Sequence, residues 1–121
     1  ERAYSREFLT MGDNVVMFSL APQTTPMTTI DAMFSNLKTL FTGDIGAFLP
    51  VWIDKETPSY PMASSQQMVD AAMAAKRAGA KYLACWGYKD YRVPIRFSTI
   101  GDNATIKARW LTAISSIKAQ W

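Results

Sequence analysis

Three short apolar runs recur along the chain, and each is followed by a stretch whose apolar positions fall three and four residues apart. The first run, Val15-Val16-Met17-Phe18-Ser19-Leu20, is almost continuous and lies between Gly12-Asp13-Asn14 and Ala21-Pro22, the pattern of a strand buried on both faces. A Thr- and Pro-rich connection leads to Thr28-Thr29-Ile30-Asp31, where Thr28 as cap and an acid three positions on predict a helix start. Ile30, Met33, Phe34, Leu37 and Phe41 form its apolar stripe, and Gly43 is expected to end it. Ile45 to Ile53 reads as a second strand, with Pro50 inside it pointing to an edge or bulge because proline donates no ladder hydrogen bond.

After the turn-rich segment from Asp54 to Pro61, Ser64 or Ser65 is placed to cap a helix containing Met68, Ala71, Ala72, Ala75 and Ala78. Its run of alanines predicts close approach to a sheet. Gly79 stands where a helix C-terminal cap belongs, and Lys81 to Tyr88 follows as the third strand. The long connection from Lys89 to Asp102 is a candidate for function or for contact with another chain. A last helix is predicted from about Asn103, burying Ile106, Trp110, Ile114 and Ile117, with Trp121 packing at its end. Strand and helix alternate three times, so the fold class is α/β: three βα units around a parallel sheet joined by right-handed crossovers. Three strands leave two open edges, and the reading expects either a further polypeptide segment or the chain's own loops to protect them.

Composition narrows the chemistry. A chain of 121 residues with 49% hydrophobic and 19% charged content is globular in character, long enough to bury roughly two-thirds of its unfolded surface. The sequence contains no His, which excludes Ser-His-Asp and Cys-His nucleophiles, His-ligated zinc and imidazole proton shuttles. Cys85, the single cysteine, lies within an apolar run and reads as a small core residue. The net charge of +3 is spread out apart from Lys81, Lys89, Arg92 and Arg96, a stretch that reads as solvated and not as a nucleic-acid surface. No apolar stretch approaches the ~20 residues that cross a bilayer, so no membrane partner is expected and the chain reads as soluble. It begins Glu1-Arg2-Ala3-Tyr4, without a hydrophobic leader and without Met, the beginning expected of a processed product or a piece of a longer polypeptide. Neither a dinucleotide fingerprint, a phosphate loop nor an EF-hand spacing occurs, so neither a cofactor nor a metal is expected.

In parallel α/β folds ligands bind at the carboxyl ends of the strands. That rule selects Ser19 and Gln23 after the first strand, Trp52, Asp54, Lys55 and Glu56 after the second, and Trp86, Tyr88, Lys89 and Asp90 after the third. Asp54 and Glu56 are the only carboxylate pair at a strand end, either a solvated or Lys-paired loop acid or the start of a glycoside-hydrolysing pair. Trp86 and Tyr88 alternate and so share a side, where they either pack in the core or offer a platform for a sugar ring; Trp52 is open to the same two readings.

The strand Phe48 to Asp54, ending in an acid, and the helix end and strand from Ala75 to Tyr88, with Trp86 near its close, resemble the final βα units of a TIM barrel of the glycoside-hydrolase kind. The resemblance implies a (β/α)8-type barrel of which residues 1–121 are the C-terminal portion, with Asp54 as catalytic nucleophile and Trp86 as the sugar-stacking side chain; Trp52, Glu56 and Tyr88, selected above by their strand-end positions, are the further candidates for binding substrate. The acid–base residue that such enzymes place on the fourth strand lies outside this chain, so the resemblance implies a carbohydrate-binding or glycoside-hydrolysing portion completed by another segment. The alternatives are a single small open α/β domain, with an anionic ligand near the helix starts at Thr28 and Ser64, and a non-catalytic structural or assembly subunit.

Overall fold

The structure is a computed structural model and describes residues 15–56, 61–86, 91, 93, 94 and 96–121. Its element order is β1 (Val15–Ser19), α1 (Met27–Leu40), β2 (Asp44–Pro50), β3 (Trp52–Asp54), α2 (Ser65–Arg77), β4 (Tyr82–Trp86), β5 (Phe97–Thr99) and α3 (Ala104–Gln120). Strands β1, β2 and β4 form a parallel sheet in that order, with Met17 opposite Gly46 and Gly46 opposite Tyr82, while β3 and β5 form a separate antiparallel pair. The chain is thus a mixed α/β structure, with three helices and a small parallel sheet among the described residues.

Each helix is set by local chemistry. Ser64 and Gln67 make a reciprocal capping box at the start of α2, with the Gln67 N–H donating to Ser64 Oγ at 3.1 Å and the Ser64 N–H to Gln67 Oε1 at 2.8 Å. At its far end Gly79 takes φ +85, its N–H donating to Lys76 O and that of Ala80 to Ala75 O, a Schellman closure that turns the chain into β4. Asn103 caps α3 by accepting from the Ile106 N–H at 3.1 Å.

Helix α1 departs from expectation at both ends. It starts one residue before Thr28, with Pro26 at the cap position and no side-chain cap, and it ends when Phe41 turns extended, two residues ahead of Gly43.

The strand order follows the chain, so the general right-handed rule for parallel crossovers puts α1 and α2 on the same face of the sheet, and α3, which follows β4, joins that layer by packing on α2. Ile45, Ala47 and Leu49 of β2 point into that layer and are buried. They join one core with Ile30, Phe34 and Leu37 of α1, Met68 and four alanines of α2, and Ile106, Ala113 and Ile117 of α3. The alanines bring α2 close, and it packs on β2 and on both neighbouring helices. Met17, Phe48, Tyr82 and Ala84 occupy the opposite face and stand outside this core. Met33 is not part of the α1 stripe but lies at the surface, and Trp110 and Ile114 of α3 are only partly covered.

The run Ile45–Ile53 is not one strand. Pro50 closes β2, which is the central strand and not an edge, at a position where the ladder stops; buried Val51 then carries the chain into β3. The connection Lys89–Asp102 likewise is not wholly irregular, since it contains β5.

Gly46 is required by close approach. A Cβ there would collide with Met17 Sδ and lie 3.0 Å from both Tyr82 Cβ and Tyr82 O. Gly46→Ala should therefore lower stability by about 1–3 kcal/mol, as overpacking does. Urea denaturation measures this, and the added change Met17→Ala should recover part of the loss by removing the flexible neighbour.

Candidate functional site

Beyond the carboxyl end of β2 the antiparallel pair β3–β5 sets Trp52 opposite Thr99, Ile53 opposite Ser98 and Asp54 opposite Phe97. The Lys55 N–H continues the ladder to Arg96 O at 2.9 Å. This register brings Arg96 beside Asp54. The guanidinium grips both carboxylate oxygens, Nε to Oδ1 at 3.0 Å and Nη2 to Oδ2 at 2.6 Å, the bidentate geometry that suits an Arg–carboxylate pair. Oδ1 also accepts from the Glu56 N–H at 3.0 Å, and Glu56 Oε2 lies 3.2 Å from Arg96 Nη1. One cation therefore bridges the two acids, which differ sharply in exposure: the Asp54 side chain is 8% exposed and that of Glu56 61%.

Aromatic surface borders this cluster. The Trp52 and Phe97 rings pack at a centroid separation of 5.0 Å and a tilt of 52°, and the Arg96 guanidinium sits 5.1 Å from the Phe97 ring centre. Behind them the Thr99 N–H donates to Asp102 Oδ1 at 2.8 Å, and the Asn103 N–H donates to Thr99 O, tying β5 to the cap of α3.

Of the residues selected from the sequence, Trp52, Asp54 and Glu56 are brought together. Trp86 ends β4 opposite Pro50, at the same end of the sheet, but its side chain, and all of Tyr88, Lys89, Asp90 and Arg92, lie outside the described residues. Gln23 is on the loop after β1, where its buried Oε1 finds no hydrogen-bond partner among the described residues. Lys55 is not the cation that pairs the acids; Arg96 is, and the sequence does not mark it because its partner is 42 residues away and it stands in a basic stretch that reads as solvated. The only local sign was the alternation Phe97-Ser98-Thr99 that follows it. Lys81, from the same stretch, pairs with Asp44 at 2.7 Å, and this hydrogen-bonded acid raises its pKa.

Chemically, Asp54 is a charged group whose lone pairs are already directed at donors. Oδ1 accepts two of these bonds and Oδ2 one, so toward the described residues Oδ2 is the less engaged oxygen. Among the described residues no group of three or more His, Cys, Asp or Glu could hold a metal ion, and no helix is long and apolar enough to cross a membrane.

Burial pushes the Cys85 thiol above its ordinary value of 9.0, so it is protonated at neutral pH. A raised folded-state pKa contributes stability that is complete below the unfolded value and fades as pH rises through the folded one. Thiol labelling at pH 7.5 should accordingly be slow in the native chain and fast in denaturant; equal rates would show an accessible thiolate. Removing one partner of a fully buried ion pair costs roughly 3–5 kcal/mol. With the Arg96 side chain 38% exposed, Arg96→Met should cost about 1–3 kcal/mol in chemical denaturation and Glu56→Gln at most about 0.5.

Comparison with known proteins finds no matching family, no matching curated protein and no matching solved structure.

Proposed function

We propose that the chain is a set of consecutive βα units from a (β/α)8-type body, and that its strand-end surface binds carbohydrate. The observation that carries the ligand class is the half-buried Trp52–Phe97 pair set beside Asp54, Arg96 and the exposed Glu56. An aromatic face receives the C–H side of a sugar ring, and flanking carboxylate and guanidinium groups exchange hydrogen bonds with its hydroxyls. The barrel architecture is supported by the strand order β1-β2-β4 together with the packing of the described helices into one layer, since open doubly wound sheets place helices on both faces.

Within this reading Asp54 holds the site in shape through Arg96, and Glu56 is the carboxylate that meets the ligand. Hydrolysis would need a second carboxylate at a defined separation, supplied by further chain. Trp86 and Tyr88, at the end of the neighbouring strand, would extend the stacking surface.

A second reading, a non-catalytic assembly subunit, draws on the sheet face carrying Met17, Phe48 and Tyr82. Parallel sheets are almost always covered on both faces, and in an assembly a neighbouring chain would supply the cover.

A screen of the chain against immobilised glycans, followed by titration of the best oligosaccharide by tryptophan fluorescence, decides between them. Carbohydrate binding predicts saturation and a loss of at least about tenfold in affinity for Trp52→Ala, the scale of a lost stacking contact. No glycan retained by the folded chain, or an unchanged affinity for Trp52→Ala, would favour the assembly subunit.

A further inference from the structure

The outer side of β4 carries a trough of about 370 Å³. Tyr82, Leu83, Ile114, Ile117 and Trp121 supply its apolar lining, and Lys81 and Lys118 its charges. It lies at the amino end of β4, the opposite end from the strand-end site. Among the described residues β4 pairs only with β2, so the trough runs beside a strand edge that has no ladder partner there. Helix α3 forms one wall of the trough, and Ile114 stays partly uncovered there although its neighbours Ala113 and Ile117 are buried.

The charges indicate what fits. Helix α3 carries Lys107, Arg109 and Lys118 and no acidic residue. Lys81 is engaged by Asp44, whereas no ion pair among the described residues uses Lys118. Two copies meeting α3 to α3 would oppose like charges.

We propose that this trough seats an extended segment of another polypeptide, apolar at alternate positions and bearing a carboxylate opposite Lys118, which adds to β4 as a fourth parallel strand. This rests on the reading of the chain as part of a larger β/α body and states where that body continues and with what chemistry. Backbone pairing with β4 would supply affinity, and the pocket between Leu83, Ile114 and Trp121 would select the side chain that enters it.

The test uses a fluorescein-labelled peptide of alternating Val and Thr flanked by Asp, titrated with the intact chain by fluorescence anisotropy. The expected result is saturable binding, weakened about tenfold by Lys118→Glu and likewise when Lys replaces Asp in the peptide, as for a paired charge at an interface. Methylating alternate backbone nitrogens of the peptide should abolish it, because a strand cannot add without its donors. Lys118 is exposed and Lys118→Glu should keep the native circular dichroism; Trp121→Ala is the second variant and should weaken the peptide as well. Absence of saturation, equal binding by Lys118→Glu, or equal binding of the methylated peptide overturns the proposal. So does concentration-dependent self-association in sedimentation that Lys118→Glu abolishes, since the occupant would then be a second copy. Trp52→Ala should leave peptide binding intact, so failure of the carbohydrate reading and failure of this one are separately visible.

Discussion

Everything in this molecule follows from the crossover that a parallel strand pair demands. Adjacent parallel strands cannot be joined by a tight turn, and the right-handed path over the sheet fixes on which side the connecting helix lands. With β1, β2 and β4 side by side in chain order, that constraint sends α1 and α2 to one face, and α3 joins the layer by packing on α2. The alternation along β2 then divides the strand cleanly: Ile45, Ala47 and Leu49 enter the helix layer, while Gly46 and Phe48 turn to the side that none of the described helices covers. Gly46 is small because Met17 and Tyr82 crowd it from the two neighbouring strands.

The same geometry locates the candidate site. Pro50 ends the central strand without a donor to lose, and Val51, fully buried, anchors the chain as it leaves the sheet. The three residues of β3 would be too short to persist alone. They are held by β5, by the Arg96 fork on Asp54 and by the turn that joins Thr99 to the cap of α3. Asp54 is thus first a structural acid, and whatever chemistry the surface performs must work around a carboxylate that is already occupied.

Much of this was legible in the sequence where the signal is local. Ser64 with Gln67, Gly79 after an alanine-rich helix, and Asn103 before Ile106 each satisfy helix-end groups within a few residues, and each marks its boundary. The strand alternation of helices and apolar runs was equally readable. What was not readable depended on distant partners. The apolar run through Pro50 carries no mark of which residues pair with β4 and which with β5. Arg96 acquires its role only when the fold brings it to Asp54, and Met33 falls off the α1 stripe because no element packs on that side. The long segment before α3 hid β5, since three residues offer too short a pattern to distinguish a strand from a loop.

The central claim is that the parallel sheet is packed on one face only by the described elements, with a second face left for a further layer. Hydroxyl-radical footprinting of the intact chain, read by mass spectrometry, tests it most directly. The account predicts modification of Met17, Phe48 and Tyr82 well above that of Phe34 and Met68, which lie in the helix-covered core. Protection of Met17, Phe48 and Tyr82 to the level of Phe34 and Met68 would contradict it.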